Sequence, residues 1–380
     1  MDLLDIRNRI DAIDDKLLPL FLERMSLSKE VAEYKKANNL PILNRTRERE
    51  ILKSVAEKSG DLEQFAHRLY TTIFELSRAY QDTLCTQGAS LSEEISKALE
   101  NTYSAFPKTG VVACFGTEGA NAQLAADKMF PRGELVFFKT FEGVFDAVEN
   151  GLCEFGIIPF ENSSNGSVRE TYELLLKKNV HIVRSERLCI RHELLAKKGA
   201  RIEDIKEIYS HPQAIGQCSR FLKELGSKVK ITPCENTAQA AQYAASSKDN
   251  SIAAIASHAN AEIYNLASIA TSIQDSDNNY TRFICITKTP RLYPGANRIS
   301  LILACQHKPG ALYEVLAKFA ALEINLLKIE SYPILGHDFE FMFFFELSAD
   351  ITDEKTVSML ESLNGSCETF KFLGNYEEVL

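Results

Sequence analysis

Residues 155–167 read FGIIPFENSSNGS, a short apolar run followed at once by a polar segment. The run is rich in β-branched and aromatic side chains, which predicts a buried strand. The polar segment begins at Glu161-Asn162, where the predicted strand ends. Because α/β folds bind ligands at the carboxyl ends of their strands, this stretch predicts both a sheet and a binding site beside it.

The alternation of strand and helix extends outward from this stretch, from Gly110 to about Thr289. Runs such as VVACFG, IKEIYS and RFICIT predict strands, and FEGVFDAVENG and PQAIGQCSRFLKEL predict helices between them. This pattern indicates an α/β fold, which we expect to have mostly parallel strands. Its length suits two lobes with a ligand site at their interface.

Two further polar segments follow apolar strands in the same region. Ser210-His211-Pro212-Gln213 opens a helix that carries Gln217, and Tyr280-Thr281-Arg282-Phe283 opens the strand RFICIT. Each segment alone is typical of a capped turn, and we expect His211 to be structural. Together with Glu161-Asn162, the segments favour a cleft that binds a carboxylate, because helix N-termini present backbone N–H groups to anions.

The first 85 residues predict helices only. Apolar side chains recur at helical spacing from Ile6 to Leu20 and form an amphipathic stripe. A lone helix of this length cannot bury its stripe, so we expect a partner chain. Pro19 is expected to bend the helix. Asn44 is a candidate cap for a second helix, and a third helix follows Gly60.

The first helix also carries cations. Arg24 and Lys35 are eleven residues apart, close to three turns, and therefore share one face. Because removing charges from water is costly without a counter-charge, the pair predicts an anion site. Arg7 lies about 100° away around the helix and suits the pocket of a neighbouring chain. Polar residues on the other two helices complete the candidate set: Asn44, Arg47, Glu48, Ser77 and Gln81.

Residues 297–376 follow the order strand, helix, strand, strand, helix, strand. This β-α-β-β-α-β order predicts an α+β, ferredoxin-like unit, and it carries no catalytic constellation. The segment Lys308-Pro309-Gly310-Ala311-Leu312 forms a predicted strand-to-helix turn. Backbone N–H groups in such a turn suit the carboxylate of an amino acid.

Composition limits the classes of function. The 380 residues include 43 Lys and Arg against 52 Asp and Glu, a net charge of −9, which argues against a nucleic-acid surface. The start MDLLDIRNRI has no apolar signal core, and no apolar run could span a bilayer, so we expect a cytoplasmic protein without membrane contact. The nine scattered cysteines indicate reduced, packed thiols, and we expect no metal and no cofactor.

Residues 3–81 resemble the all-helical class of chorismate mutase through IRNRIDAIDDKLL, LERMSLSKEVAEYK, ILNRTRERE and SRAYQ. That class forms an intertwined dimer and rearranges chorismate to prephenate without a cofactor. The resemblance implies that Arg24, Lys35 and Arg47 bind the substrate carboxylates and ether oxygen, with Arg7 supplied by the partner chain. It also implies that Glu48 binds the ring hydroxyl, that Gln81 joins Lys35 at the ether oxygen, and that Ser77 lines the pocket. Asn44, where the class commonly has Asp, is either a substrate contact or only a helix cap.

Residues 111–287 resemble prephenate dehydratase, whose motifs they contain in order. That family removes hydroxide and carbon dioxide from prephenate to give phenylpyruvate. The resemblance implies that Thr281 assists departure of the hydroxyl through a hydrogen bond, and that Arg282 supports the site or binds a carboxylate. It further implies that Asn162, Ser210 and Gln217 position the substrate and that Glu161 holds the loop. The glycine loop at Gly116–Ala122 departs from the family pattern.

The segments at 308–312 and 330–333 resemble the two effector motifs of an ACT domain, with Tyr332 where the second motif normally has Arg. In this family the domain binds phenylalanine between paired subunits. The resemblance implies that the allosteric residues are Gly310, Ala311, Leu312, Glu330 and Ser331.

The resemblances together imply a bifunctional, three-domain enzyme of phenylalanine biosynthesis. We expect an all-helical mutase domain at 1–85, a linker with one short helix at 86–108, a two-lobed α/β dehydratase domain at 109–290 and a ferredoxin-like ACT domain at 297–376. The substrates would be chorismate and prephenate, the effector phenylalanine, and the assembly a homodimer or tetramer. The alternative is a non-catalytic amino-acid sensor, because two-lobed α/β folds also serve as solute-binding proteins. Retention of Arg24, Lys35 and Thr281 favours the enzyme.

Overall fold

The N-terminal part of the chain forms three helices, α1 (Leu3–Ala37), α2 (Arg45–Ser59) and α3 (Glu63–Thr86). The structure, a computed structural model, describes residues 2–38, 40, 42–86, 93–305, 310–333 and 341–379. Asn44 caps α2, since its side chain accepts a hydrogen bond from the Arg47 backbone N–H at 3.0 Å, and the predicted cap is confirmed. A fourth helix, α4 (Glu93–Glu100), follows in the segment predicted as a linker.

Helix α1 leaves its apolar stripe uncovered. It continues through Pro19, and its only buried residues are Ser28 and Ala32. Leu17 and Leu20 are 54% and 63% exposed. Helix α3 packs against both α1 and α2 and so forms the centre of this helical layer. The single chain therefore covers only one face of the second half of α1, and the apolar stripe of the first half stays exposed.

The middle of the chain alternates strands with helices. The strands are β1 (Val111–Phe115), β2 (Glu134–Phe138), β3 (Phe155–Asn162), β4 (Gly166–Ser167), β5 (His181–Cys189), β6 (Glu193–Ala196), β7 (Glu207–Ser210), β8 (Lys230–Pro233), β9 (Ile252–Ala256), β10 (Ala267–Ala270) and β11 (Tyr280–Thr287). The helices are α5 (Asn121–Met129), α6 (Phe141–Glu149), α7 (Arg169–Lys177), α8 (Pro212–Gln217), α9 (Ser219–Leu225), α10 (Thr237–Ser246) and α11 (His258–Ile263).

These strands form two sheets, one in each lobe. Lobe A has the strand order β5-β11-β3-β1-β2, with β4 beside β3, and lobe B has the order β10-β6-β9-β7-β8. The expectation of mostly parallel strands is wrong. Strand β11 runs antiparallel to β3 and β5, and β6 runs antiparallel to β9 and β10. The cause is the route of the chain: β5 leaves lobe A at the end where β11 returns to it, so these two neighbours run in opposite directions.

Each lobe has its own core. In lobe A, Phe130 and Phe155 pack with their ring centroids 4.7 Å apart beneath the sheet. In lobe B, the alanines of α10 lie against β9, and Ala240, Ala241 and Ala244 are fully buried. Small side chains let this helix approach the sheet closely, so the core of lobe B is densely packed beneath the loops at its strand ends.

Two hinge segments join the lobes: residues 190–192 between β5 and β6, and residues 271–279 between β10 and β11. They are hydrogen-bonded to each other. The Ile190 N–H donates to the Asn279 carbonyl at 2.8 Å, and the Ile273 N–H donates to the His192 carbonyl at 3.0 Å. The carboxyl end of β3 and the start of β11 lie beside these segments.

The C-terminal part contains β12 (Arg298–Ala304), α12 (Ala311–Ala321), β13 (Asn325–Pro333), β14 (Phe341–Ser348), α13 (Glu354–Ser366) and β15 (Thr369–Val379). The predicted β-α-β-β-α-β order is therefore confirmed. Its strand order is β13-β14-β12-β15. Lys308 and Pro309 of the first predicted effector motif lie outside the described residues.

The chain divides into two compact units. One unit is Met1–Ser96 with Leu301–Lys371, and the other is Lys97–Ser300 with Phe372–Leu380. In the first unit, α12 and α13 pack against α3. In the second unit, the end of β15 pairs in parallel with β5, with Glu377 beside Arg184. Within the described ranges, no helix combines the length and the apolar character that crossing a bilayer requires.

Candidate active sites

In the first unit, polar side chains from α1 and α3 meet as the sequence predicted. The Lys35 ammonium donates hydrogen bonds to the Ile42 carbonyl and, at 3.4 Å, to Oε1 of Gln81. The amide Nε2 of Gln81 donates to the Ser77 hydroxyl at 3.1 Å, and that hydroxyl lies 2.7 Å from the Ser28 hydroxyl. Ser77 and Gln81 are one turn apart on α3, which is why both face α1.

Arg24 lies on the same side of α1, over the ring of Phe74, with 5.6 Å between the guanidinium carbon and the ring centroid. Its Nη1 is buried and has no hydrogen-bond partner among the described residues. Burial lowers the pKa of Arg24, an effect that nearby Glu48 opposes. A guanidinium with a buried and unused N–H donor is costly unless an anion pairs with it, so the geometry favours an anion site here.

Glu48 is paired with Arg78, a residue that the sequence analysis did not select. Both side chains are about one quarter exposed, at 25% and 23%. Arg78 follows Ser77 in the chain, but its pairing joins α2 to α3 across thirty positions, and no local spacing shows it. The pairing fixes the Glu48 carboxylate near Arg24.

Three predicted residues of this site are not brought into the cluster. Arg47 is exposed and pairs with Glu50 at 3.2 Å. Arg7 is exposed on the uncovered part of α1. Asn44 uses its side chain oxygen as the cap of α2. The cluster within one chain therefore contains Arg24, Lys35, Glu48, Ser77 and Gln81.

In the second unit, Asn162 at the end of β3 holds Thr281 at the start of β11. The two residues are opposite each other in the antiparallel pair, so their side chains share one face. Asn162 Nδ2 donates to the Thr281 hydroxyl oxygen at 3.0 Å and to Asn279 Oδ1 at 3.1 Å. Its own oxygen accepts the backbone N–H groups of Ser164 and Asn165.

Gln217 joins this group from lobe B. Its Oε1 accepts a hydrogen bond from Asn279 Nδ2 at 3.1 Å and lies 2.9 Å from Nε2 of His192. The sequence analysis selected Gln217 but not His192 or Asn279. Ser210 ends β7 and is fully buried, and its hydroxyl donates to the Ile255 carbonyl at 2.8 Å. His211 accepts the Gln213 backbone N–H, which agrees with the expected structural role.

Arg282 is on the opposite face of β11 from Thr281, because successive strand residues alternate sides. It is 4% exposed and donates hydrogen bonds to Glu161, Ser185 and the Tyr376 hydroxyl, each at 3.3 Å. Buried Glu378 lies 3.7 Å away and also pairs with two other arginines, Arg187 and Arg298. Arg282 and Glu161 thus form part of an internal charge cluster, and the structure separates them from Thr281.

The glycine loop that precedes α5 contacts lobe B. Asn260 of α11 is fully buried and donates to the Gly119 carbonyl at 2.9 Å. Gly119 has a φ of +86°, and a Cβ there would lie 2.2 Å from Asn260 Oδ1. Only glycine fits this position, so the loop connects the lobes through its backbone.

The predicted effector residues surround the start of α12 and the end of β13. Gly310 precedes α12 in the left-handed region, with a φ of +85°, and Ala311 is buried. On β13, the Tyr332 hydroxyl donates to the Glu330 carboxylate, whereas Ser331 is on the exposed face. Leu312 lies partly buried in the first turn of α12. The next residue, Tyr313, donates to Glu75 of α3.

Three family models match the chain in succession: chorismate mutase type II at residues 6–82, prephenate dehydratase at 112–291 and the ACT domain at 299–365. A bifunctional chorismate mutase/prephenate dehydratase from Enterobacter agglomerans is 31% identical over 388 residues, with 98% of this chain and 95% of the relative covered. The chain belongs to the family of bifunctional chorismate mutase/prephenate dehydratases.

Other relatives match about 70% of this chain. The chloroplastic arogenate dehydratase/prephenate dehydratase 2 of Arabidopsis thaliana is 38% identical over 277 residues, which cover 70% of this chain and 72% of the relative. A prephenate dehydratase from Arthrobacter aurescens, solved with L-Phe, has a TM-score of 0.64 at 26% identity and covers 70% of this chain and 90% of its own. A protein described as a quorum-quenching acylase, GqqA, has a TM-score of 0.65 at 26% identity, over 71% of this chain and 98% of its own. Because bifunctional relatives match nearly the whole chain, the sensor alternative is not favoured.

Proposed function

We propose that this chain rearranges chorismate to prephenate and then converts prephenate to phenylpyruvate, carbon dioxide and water. The observation that carries the first step is Arg24, whose buried Nη1 has no hydrogen-bond partner among the described residues and which shares a face of α1 with Lys35. The rearrangement needs no nucleophile. It needs a dianion held in a compact conformer and a positive group at the ether oxygen, where charge develops.

In the mutase step, Arg24 binds a carboxylate, and Lys35 with Gln81 faces the ether oxygen. Glu48, held by Arg78, accepts a hydrogen bond from the ring hydroxyl, and Ser77 lines the pocket. Three predicted residues lie outside the cluster of a single chain: Arg47, Arg7 and Asn44. They contact the substrate only if a second copy of the chain, or binding of the substrate itself, brings their side chains to the site.

We also propose that the second copy covers α1. The exposed stripe from Leu3 to Leu20 is continuous and apolar, and soluble monomers rarely leave such a surface uncovered. A dimer formed along α1 also gives exposed Arg7 a place at the neighbour's site. Light scattering of the purified protein should give at least twice the mass of 42.6 kDa.

In the dehydratase step, the C–C bond between the ring and its carboxylate breaks and carbon dioxide leaves. The electron pair of that bond enters the ring, which becomes aromatic, and the ring hydroxyl takes up a proton and leaves as water. The observation that supports Thr281 in this role is its hydrogen bond from Asn162, which occupies a lone pair of the Thr281 oxygen and leaves its hydrogen for the departing hydroxyl. Gln217 and Asn162 position the substrate, with Ser210 supporting the end of β7. Arg282 supports the site from the opposite face, with Glu161 holding the loop.

Phenylalanine is the proposed effector, bound by Gly310, Ala311 and Leu312 at the start of α12 together with Glu330 and Ser331.

The domain boundaries 1–85, 109–290 and 297–376, with a linker at 86–108, remain part of this proposal. The proposed location is the cytoplasm, where reducing conditions suit the eight free thiols that the structure describes.

The test is a coupled ultraviolet assay on the full chain with no metal or nucleotide added. Loss of chorismate followed by appearance of phenylpyruvate is the expected result, and phenylalanine should slow it. Arogenate is assayed beside prephenate, because the plant relatives carry that name. Tight phenylalanine binding without turnover of any of the three substrates would overturn the proposal.

A further inference from the structure

The amide of Asn162 has only one possible orientation. Its oxygen accepts backbone N–H groups from Ser164 at 3.0 Å and Asn165 at 3.1 Å, and backbone N–H groups can only donate. Its Nδ2 must therefore face Thr281, Asn279 and the Tyr280 carbonyl, three acceptors that share its two hydrogens. With both lone pairs of its oxygen in use, Asn162 can offer a ligand no acceptor, and Thr281 is left to donate.

The same reasoning orients Gln217 through Asn279. Asn279 turns its oxygen to Asn162, so its Nδ2 donates to Gln217 Oε1 at 3.1 Å. His192 Nε2 is 2.9 Å from the same Gln217 oxygen and must carry a hydrogen, because that oxygen only accepts. Both lone pairs of Oε1 are then occupied. One N–H of Gln217 points to Asn279 at 3.4 Å, and the other is left for a ligand.

His192 and Asn279 are buried in the two hinge segments, at 4% and 2% exposed. Burial lowers the pKa of His192 and so favours the neutral ring. The hydrogen bonds run from Thr281 in lobe A, through both hinge segments, to Gln217 in lobe B. Water cannot replace a missing partner at buried positions such as these without cost, so the orientation of each amide depends on its neighbours.

We propose that His192 and Asn279 are positioning residues of the dehydratase site, which fix Gln217 so that it offers the substrate only an N–H donor. This inference rests on the proposed function. A dianion with carboxylate, carbonyl and hydroxyl oxygens is rich in acceptors, so a site that presents donors alone recognises it. Neither residue touches the substrate, and both act through Gln217.

The test compares His192→Phe with His192→Gln in the full chain, using prephenate as substrate. Phenylalanine keeps the ring but removes the donor, and kcat/KM should fall about tenfold, mainly through KM, as expected for one lost hydrogen bond. Glutamine places an amide N–H near the position of Nε2 and should stay within about threefold of the wild type. The chorismate mutase rate of each preparation reports whether the protein is folded.

A matched control is His258→Phe, which removes an exposed histidine of lobe B that pairs with Glu193 at 2.9 Å. Its dehydratase kinetics should match the wild type. In a Gln217→Ala background, His192→Phe should cause no further loss, whereas a merely structural role would add its loss to that of Gln217→Ala.

Asn279→Asp provides a second route if His192→Phe does not fold. Aspartate keeps the shape and still accepts from Asn162, but it cannot donate to Gln217, so KM should rise in the same way. A wild-type protein that never converts prephenate would refute the proposed function. An active wild type with unchanged KM in both variants, or with additive losses in the double variant, would overturn only this inference.

Discussion

The two candidate sites differ in whether the protein neutralises their positive charges. In the first unit, Lys35 faces the neutral Gln81, the Glu48 carboxylate near Arg24 is already paired with Arg78, and the buried Nη1 of Arg24 has no hydrogen-bond partner among the described residues. In the second unit, the face that carries Thr281 is lined by neutral amides, and the neighbouring Arg282 is already neutralised by Glu161 and Glu378 on the other face.

This difference follows from what each reaction requires. A rearrangement that moves charge onto an ether oxygen is accelerated by cations whose field is not cancelled by the protein. Loss of a hydroxyl group requires a hydrogen-bond donor, and a strong cation is not essential for it. The first site is therefore electrostatically incomplete without its anion, whereas in the second the side-chain oxygens of Asn162 and Gln217 are already hydrogen-bonded before the substrate arrives.

The largest expected effect tests the uncompensated charge. Arg24→Ala should lower mutase kcat/KM by about 10³-fold, the upper range for one preorganised donor, while the dehydratase rate stays unchanged. Separate steady-state assays with chorismate and prephenate measure the two rates. Arg45→Ala, which removes an exposed cation 3.7 Å from Glu314, is the control and should retain most of the mutase rate. Loss of both activities in a folded Arg24→Ala protein would contradict two independent sites.

Thr281→Val tests the neutral site with an almost isosteric change. It removes the hydroxyl donor, so the dehydratase kcat should fall by about 10²-fold while the mutase rate is kept. Thr287→Val, farther along β11, is the matched control, since its hydroxyl donates only to the Thr289 carbonyl in the described structure. A normal dehydratase rate in Thr281→Val would remove Thr281 from its proposed role.

Arg282→Met tests whether the second arginine is structural. The change leaves Glu161 and Glu378 short of a buried partner and should lower the free energy of unfolding by at most about 3 kcal/mol, because Arg187 and Arg298 still pair with Glu378. Urea titration measures the loss, and Arg169→Met, which breaks an exposed pair with Glu173, should cost under about 0.5 kcal/mol. If kcat collapses while stability is kept, Arg282 is a substrate ligand instead.

Sequence alone predicted the features that repeat locally. Spacing placed Arg24 with Lys35 on one face of the first helix, and the resemblance to chorismate mutase joined Gln81 to Lys35, which the structure shows in contact. The motifs that contain Asn162 and Thr281 likewise hold two residues that are in contact. Periodicity also gave the element order of the C-terminal part. Each of these depends on a pattern within one helix, strand or motif.

What the sequence did not show depends on contacts between distant segments. Strand β5 was missed because charged residues interrupt its apolar pattern. Two of them, Arg184 and Arg187, pair with Glu377 and Glu378 of β15, almost two hundred positions later. His192 and Asn279 are single polar residues in the two hinge segments and meet only because the chain crosses twice between the lobes. Arg78 finds Glu48 only through helix packing.

The smallest expected effect concerns pH and the neutral character of the second site. Burial lowers the pKa of His192 in the folded protein below its unfolded value of about 6.5. At pH values between the two pKa values, the unfolded chain therefore binds a proton at His192 that the folded protein does not bind. Stability should therefore fall as the pH drops below about 6.5, and the fall should be shallower in His192→Gln. His211, whose pKa is also lowered by burial, and His258, whose pKa is raised by Glu193, are present in both proteins and cancel in the comparison. Urea titrations at pH 7.5 and 5.5 measure the free energy of unfolding of the wild type and of His192→Gln. If both proteins lose the same free energy between the two pH values, His192 titrates normally in the folded protein and its ring is not held neutral by the hinge.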